Sequence, residues 1–145
     1  MKKILFTVPL LVLIILITAY KPEATNNEGI NFFKGSWKEA VQKAQKENKP
    51  IFLDLYATWC APCKLLKLNT FSNKEAGEFY NNSFINVSLN GEVGDGALLA
   101  AKFQIRGYPT LIYLDKRGNP ILYTDGYIKP ADFIKVGKAA VEKHK

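Results

Sequence analysis

One histidine, two cysteines and one methionine in 145 residues leave little material for the commonest side-chain chemistries. The histidine, His144, is the penultimate residue, so a buried catalytic imidazole is excluded. Cys–His hydrolases, Ser–His–Asp triads and His-based metal catalysis go with it. Two cysteines cannot staple a disulfide mini-protein, and they cannot supply a four-cysteine zinc site. Acidic residues are also few, 13 against 20 basic, giving a formal charge of +7. The lysines gather modestly at Lys43/Lys46/Lys49 and Lys135/Lys138/Lys143/Lys145. Aromatic residues are not interleaved with them, as a single-stranded nucleic-acid platform requires. The expectation is a solvated basic surface with some attraction to anionic lipid, and no nucleic-acid partner. What is present, 48% apolar and 23% charged residues, is the balance of one globular domain.

Met1-Lys2-Lys3 precedes the apolar run Ile4–Ala19, which only Thr7, Pro9 and Thr18 interrupt. As a helix this run is about 24 Å long, short of the roughly 30 Å of a bilayer core. Residues 1–19 therefore read as a signal peptide or an N-terminal membrane anchor. Thr18-Ala19-Tyr20 is a poor small-x-small cleavage site, and the absence of a cysteine near position 20 gives no support to a lipidated N-terminus. Either way the domain leaves the cytoplasm. Residues 20–33 read as a linker and residues 34–145 as the folded domain.

Ser36-Trp37-Lys38-Glu39 has the capping-box form, followed by Ala40, Val41 and Ala44 at helical spacing. Ile51–Ala57 is a nearly continuous apolar run of strand length, which predicts a strand buried on both faces. A single charge, Asp54, stands in its middle. Ser72-Asn73-Lys74-Glu75 offers a second capping box, Phe84–Leu89 a strand, Asn90–Gly96 a Gly-rich loop, and Ala97–Phe103 a short helix. Thr110–Leu114 and Ile121–Thr124 flank Asp115–Pro120 as an antiparallel hairpin, and Pro130 opens a last helix. Helices interleaved with the early strands imply right-handed crossovers and a parallel pair. The expected fold is α/β, a mixed sheet with helices on both faces.

Trp59-Cys60-Ala61-Pro62-Cys63-Lys64 falls at the junction of the buried strand and the next helix. A helix N-terminus lowers a thiol's pKa by directing unpaired N–H groups and the positive dipole end at it, and only the thiolate attacks a disulfide. Pro62 suits the first helical turn. Cys60, at the exposed end, is the expected nucleophile, and Cys63, one turn in, the resolving thiol. Two other uses compete: a structural disulfide, which would close too small a loop to constrain the unfolded chain much, and half of a zinc site, for which the domain has no further Cys or His.

Asp54-Leu55-Tyr56-Ala57-Thr58-Trp59-Cys60-Ala61-Pro62-Cys63-Lys64, then Ile105-Arg106-Gly107-Tyr108-Pro109-Thr110, then Gly126 fall in the order and spacing of the thioredoxin family, which the chain resembles from about Ser36 onward. Thr70-Phe71-Ser72 looks more like the exported disulfide-reducing domains of membrane thiol:disulfide interchange proteins. The resemblance implies a thioredoxin fold and a thiol:disulfide oxidoreductase with no cofactor or metal beyond the Cys60–Cys63 redox pair. It implies Asp54 beneath the dithiol as general base for Cys63, and a cis-Pro109 beside the cysteines. Trp59, Pro62, Tyr108 and Pro109 would line the substrate groove, where the Tyr108 backbone pairs with an extended chain. Two departures stand out: Ala-Pro replaces Gly-Pro between the cysteines, and Asn86 is expected where the family often carries a Lys near the acid. Pro62, unable to donate a hydrogen bond to a thiolate, favours a reductant; an oxidase or isomerase, or a non-catalytic peptide-binding module, are the alternatives. Its partners would be exported protein disulfides, among them apocytochrome c, and a membrane electron-donor conduit. Its place would be the periplasm or the outer face of the cytoplasmic membrane, with attachment through residues 4–19 if the leader is kept.

Overall fold

Helix α1 (Trp37–Glu47) begins where the capping box predicts: Ser36 accepts from the Glu39 N–H, and the Glu39 carboxylate accepts in return from the Ser36 N–H at 2.8 Å. It ends on Asn48 in the left-handed conformation, φ 52°, turning the chain into β1 (Ile51–Tyr56). The computed structural model describes residues 29–144. The leader and most of the expected linker lie outside the described residues.

After β1 come α2 (Ala61–Leu65), a π-helical turn (Leu66–Thr70), α3 (Lys74–Ser83), β2 (Ile85–Asn90) and α4 (Gly94–Lys102). The hairpin β3 (Thr110–Leu114) and β4 (Pro120–Asp125) and the final helix α5 (Pro130–His144) complete the chain. The sheet order is β2-β1-β3-β4. β1 runs parallel to β2 and antiparallel to β3, and β3 is antiparallel to β4. This is the mixed α/β sheet expected.

Because strand side chains alternate, β1 feeds two cores. Ile51, Leu53 and Leu55 join Ala40, Ala44, Leu99 and Ile112 on the face covered by α1 and α4. Phe52 points the other way, into an aromatic cluster with Phe71, Tyr80, Phe84, Tyr113 and Phe133. Asp54 is two residues along from Phe52, on that second side. The rings of Tyr80 and Phe133 stack at 4.0 Å, and the Tyr80 hydroxyl donates to the Phe133 carbonyl while sharing a 2.6 Å bond with the Tyr113 hydroxyl.

Three boundaries differ from the sequence expectation. The cap of α3 is Asn73, which accepts from the Ala76 N–H, because Ser72 turns back to bond the Leu68 carbonyl at the end of the π turn. Helix α4 begins at Gly94, within the stretch that reads as loop. Of its two glycines, Gly94 has a left-handed φ of 54°, and Gly96 serves close packing: a Cβ there would lie 2.0 Å from the Asn90 carbonyl oxygen. Residues 29–33, in the stretch read as linker, are packed. Ile30 N–H donates to Phe71, Phe33 N–H donates to Asn86, and the Phe32 ring meets Phe71 edge-on at 5.4 Å. Among the described residues no helix is long and apolar enough to cross a membrane.

Tyr80→Phe should cost about 1–3 kcal/mol, since it leaves the buried Tyr113 hydroxyl without its partner and removes a second bond to the Phe133 carbonyl. Urea unfolding of the two proteins measures it; an unchanged midpoint would mean that the hydroxyl pair does not hold α3, β3 and α5 together.

Candidate redox site

The end of β1 delivers the chain to the site. Cys60 N–H bonds back to the Ala57 carbonyl at 3.2 Å, and Cys60 then caps α2, with its Sγ accepting from the Cys63 N–H at 3.2 Å. Pro62 lies in the first turn of α2, where its missing N–H has no partner to lose. Cys60 and Cys63 are joined as a disulfide with their Cα atoms 5.4 Å apart.

One expectation is corrected here. In the oxidised form Cys60 is not the exposed member: it is 1% exposed and Cys63 is 8%. The cause is Tyr108, which packs with Tyr56 against the cluster of Ala57, Cys60 and Cys63. Tyr108 is held from two sides. Its ring meets Trp59 edge-on at 6.2 Å, and it lies so close to Gly91 that a Cβ there would be 2.5 Å from the ring. Trp59, 67% exposed, is itself tied by its indole N–H to the Glu92 carboxylate at 2.9 Å. The Tyr108–Pro109 peptide bond is cis, and Pro109 is buried. Its carbonyl accepts from the Gly126 N–H at 3.0 Å. Trp59 and Tyr108 thus meet beside the disulfide, and Pro62 is exposed in the first turn of α2.

Asp54 occupies the other side. It is 4% exposed, and a cavity of about 280 Å³ is lined by Asp54, Ser88, Cys63, Lys64, Lys67 and Phe32, among others. Ser88, opposite Asp54 in the parallel β1–β2 pair, donates its hydroxyl to Asp54 Oδ2 at 2.7 Å. Oδ1 is buried with no hydrogen-bond partner among the described residues. Burial pushes the carboxyl up from 3.8 to about 7, and the Ser88 bond opposes that rise. The residue beside the acid is thus Ser88 and not Asn86, which lies level with Phe52 and bonds Asn81. Ser88 emerges once the β1–β2 register is known, since that register sets it level with Asp54. Glu92 and Gly91 were also missed, because a Gly-rich loop carries no signal of what its residues pack against. Among the described residues no group of three or more His, Cys, Asp or Glu side chains could hold a metal ion.

The chain belongs to the thioredoxin-like domain family, which matches residues 37–140. It is 34% identical over 95 residues to the thiol:disulfide interchange protein DsbD of Yersinia pestis (strain Pestoides F), covering 63% of this chain and 16% of that protein. With the protein of the same name from Salmonella typhi it shares 31% over 119 residues, 77% of this chain and 21% of that one. The chain thus matches only a minor part of the length of these relatives. Among solved structures, a protein of Bacteroides thetaiotaomicron described as a disulphide-isomerase is 32% identical with a TM-score of 0.70, over 79% of this chain and 94% of that one. The DsbD C-terminal domain of Neisseria meningitidis in its oxidised form, 23% identical with a TM-score of 0.62 over 77% of this chain and 99% of that one, shares the fold. Fold, disulfide and family together define a thiol:disulfide oxidoreductase.

The buried acid has a stability signature. Folded Asp54 keeps its proton to about pH 7, whereas the unfolded chain releases it near 3.8. Between those values the folded state binds the more protons, so the contribution of this group to stability falls as pH rises and is fully lost above 7. Asp54→Asn should match the parent below pH 4 and gain progressively above it, by up to about 4 kcal/mol at neutral pH. Denaturant titrations of the oxidised proteins at pH 3.5, 5.5 and 8 test this; a constant difference would mean that Asp54 ionises normally.

Proposed function

We propose that this chain is an exported protein-disulfide reductase that uses Cys60 as nucleophile, Cys63 as resolving thiol and Asp54 as the base. The observation that carries the reading is that Cys63 and the buried, half-satisfied Asp54 carboxyl line one cavity, while the capping sulfur of Cys60 accepts an N–H from α2.

The reaction follows from this arrangement. In the reduced protein the Cys60 thiolate, favoured by the Cys63 N–H, attacks one sulfur of a substrate disulfide. The substrate S–S bond breaks, a mixed disulfide forms, and the departing sulfur leaves as a thiolate that takes a proton from solvent. Asp54, ionised in part at neutral pH, takes the Cys63 proton through water in the cavity, which is roomy enough and polar enough to hold it. The Cys63 thiolate then attacks Cys60 Sγ. The Cys60–Cys63 bond forms, the mixed disulfide breaks, and the second substrate sulfur leaves and receives the proton from Asp54. Two electrons have passed from the protein to the substrate. Trp59, Pro62, Tyr108 and Pro109 form the docking surface, with the Tyr108 main chain pairing an extended substrate segment.

The reductive direction draws on Pro62, which has no N–H to stabilise a thiolate, and on the interchange proteins with which the chain shares sequence. In an oxidising compartment such a reductant is recharged from outside, and a membrane thiol:disulfide conduit supplies the electrons. Misoxidised exported proteins and the cysteines of apocytochrome c are the substrate classes that fit. Residues 1–19 provide export, and, if retained, attachment through residues 4–19.

Family dithiols span about −270 to −120 mV, so the potential decides the direction. Equilibration of the full chain in glutathione buffers should give a value below about −230 mV; a value near −180 mV would favour an isomerase, as the Bacteroides relative is described, and one near −120 mV an oxidase. The order of the sulfurs has its own check. Reduced Cys60 should alkylate much faster than Cys63, and Cys63→Ser should trap a mixed disulfide with a substrate protein through Cys60. Equal alkylation with nothing trapped would leave the pair as a structural crosslink.

A further inference from the structure

We propose that Ser88 is a positioning residue of the redox site: by giving its hydroxyl proton to Asp54 Oδ2, it sets Oδ1 as the oxygen that exchanges the Cys63 proton. This rests on the reading of Asp54 as the base.

Four observations converge on it. The parallel register of β1 and β2 puts Ser88 level with Asp54, and the side chains meet at 2.7 Å. A hydroxyl has one proton to donate, so it can hold one carboxyl oxygen and leave the other. The other, Oδ1, is buried with no hydrogen-bond partner among the described residues, an arrangement that proteins seldom keep without a use. Finally, Ser88, Asp54 and Cys63 line the same cavity, so the thiol and the carboxyl group it would exchange a proton with border one space. An alkyl side chain at position 88 would free the carboxyl to rotate, and the open oxygen would no longer be defined.

The charge environment agrees with a neutral partner. The titratable groups facing the cavity are Tyr56 from β1, Cys63 and Lys64 from α2, and Lys67 from the π turn. From β3, the residue level with Asp54 is Leu111, which has no charge. Neither lysine is ion-paired to Asp54, whose only side-chain bond among the described residues is that from Ser88. A serine therefore steadies the carboxyl while burial keeps its proton affinity high, where a bonded ammonium would hold it ionised.

The test uses the full chain and two readouts: the pH dependence of insulin-disulfide reduction, and the infrared carboxyl band of Asp54 in the oxidised protein. Ser88→Ala should move both the acid limb of the rate and the carboxyl titration upward by about one pH unit or more, with about a tenfold loss of rate on the limb. Ser88→Thr, which keeps the hydroxyl, should restore both. In an Asp54→Asn background the limb should be gone, and Ser88→Ala should have no further effect on the profile. If Asp54→Asn abolishes the limb but Ser88→Ala leaves it in place, Asp54 is the base and the role of Ser88 is overturned. If Asp54→Asn itself leaves the limb, the base reading falls and this proposal with it. A limb that follows Lys64→Gln or Lys67→Gln but not Ser88→Ala would assign the positioning to the lysines and overturn it as well.

Discussion

Burial of β1 on both faces is the constraint on which the rest of the structure depends. A strand covered on two sides accepts only apolar side chains or polar ones that find a partner. Ile51, Phe52, Leu53 and Leu55 meet that condition by packing. Asp54 meets it by half, through a single serine hydroxyl. The uncompensated half is held by the fold around it: the aromatic cluster beside Phe52 and the sheet pairing on either side keep the strand from shifting to expose the carboxyl. Proton affinity near neutrality is thus a property of the sheet's layering as much as of the acid.

The same strand also aims the cysteines. It ends at Tyr56, the chain turns through Ala57–Trp59, and Cys60 then caps a helix in which the Cys63 N–H faces the Cys60 sulfur. The helix is short. It widens into a π turn at Leu66–Thr70, which buries Leu66 and Thr70 and lets the Thr70 hydroxyl bond the Ile128 carbonyl near the start of α5. The reactive end of the helix is therefore braced at its far end by the last part of the chain, and the sulfurs do not depend on α2 alone for their position.

Much of this was legible in the residues. The capping box at Ser36, the apolar run of β1, the parallel-then-antiparallel sheet and the joining of Cys60 to Cys63 all follow from local pattern, because each depends on neighbours in sequence. What was not legible depends on pairing across the fold. Ser88 could be found only once the β1–β2 register was known, since a shift of two residues substitutes Asn86. The seclusion of Cys60 involves a ring 48 positions away, and the stretch that opens α4 holds Gly96, where a Cβ would collide with the Asn90 carbonyl. Residues 29–33 did carry a sign: Ile30, Phe32 and Phe33 are more apolar than a tether needs, and the polar residues before them masked it.

Phe32 gives those residues a meaning that ordinary domain boundaries hide. It is a wall of the cavity shared by Asp54 and Cys63, yet it belongs to the segment that reads as linker in the sequence. A domain excised at residue 34 would retain every cysteine, the sheet and the cis-proline turn, and would lose a wall of the cavity beside Asp54. Water entering through that gap would solvate the carboxylate and return its pKa toward that of an ordinary acid. Such a fragment would pass for the intact protein by fold and differ from it in the pH at which it works. The walls of the cavity therefore reach back past the residue at which the sequence pattern starts the domain.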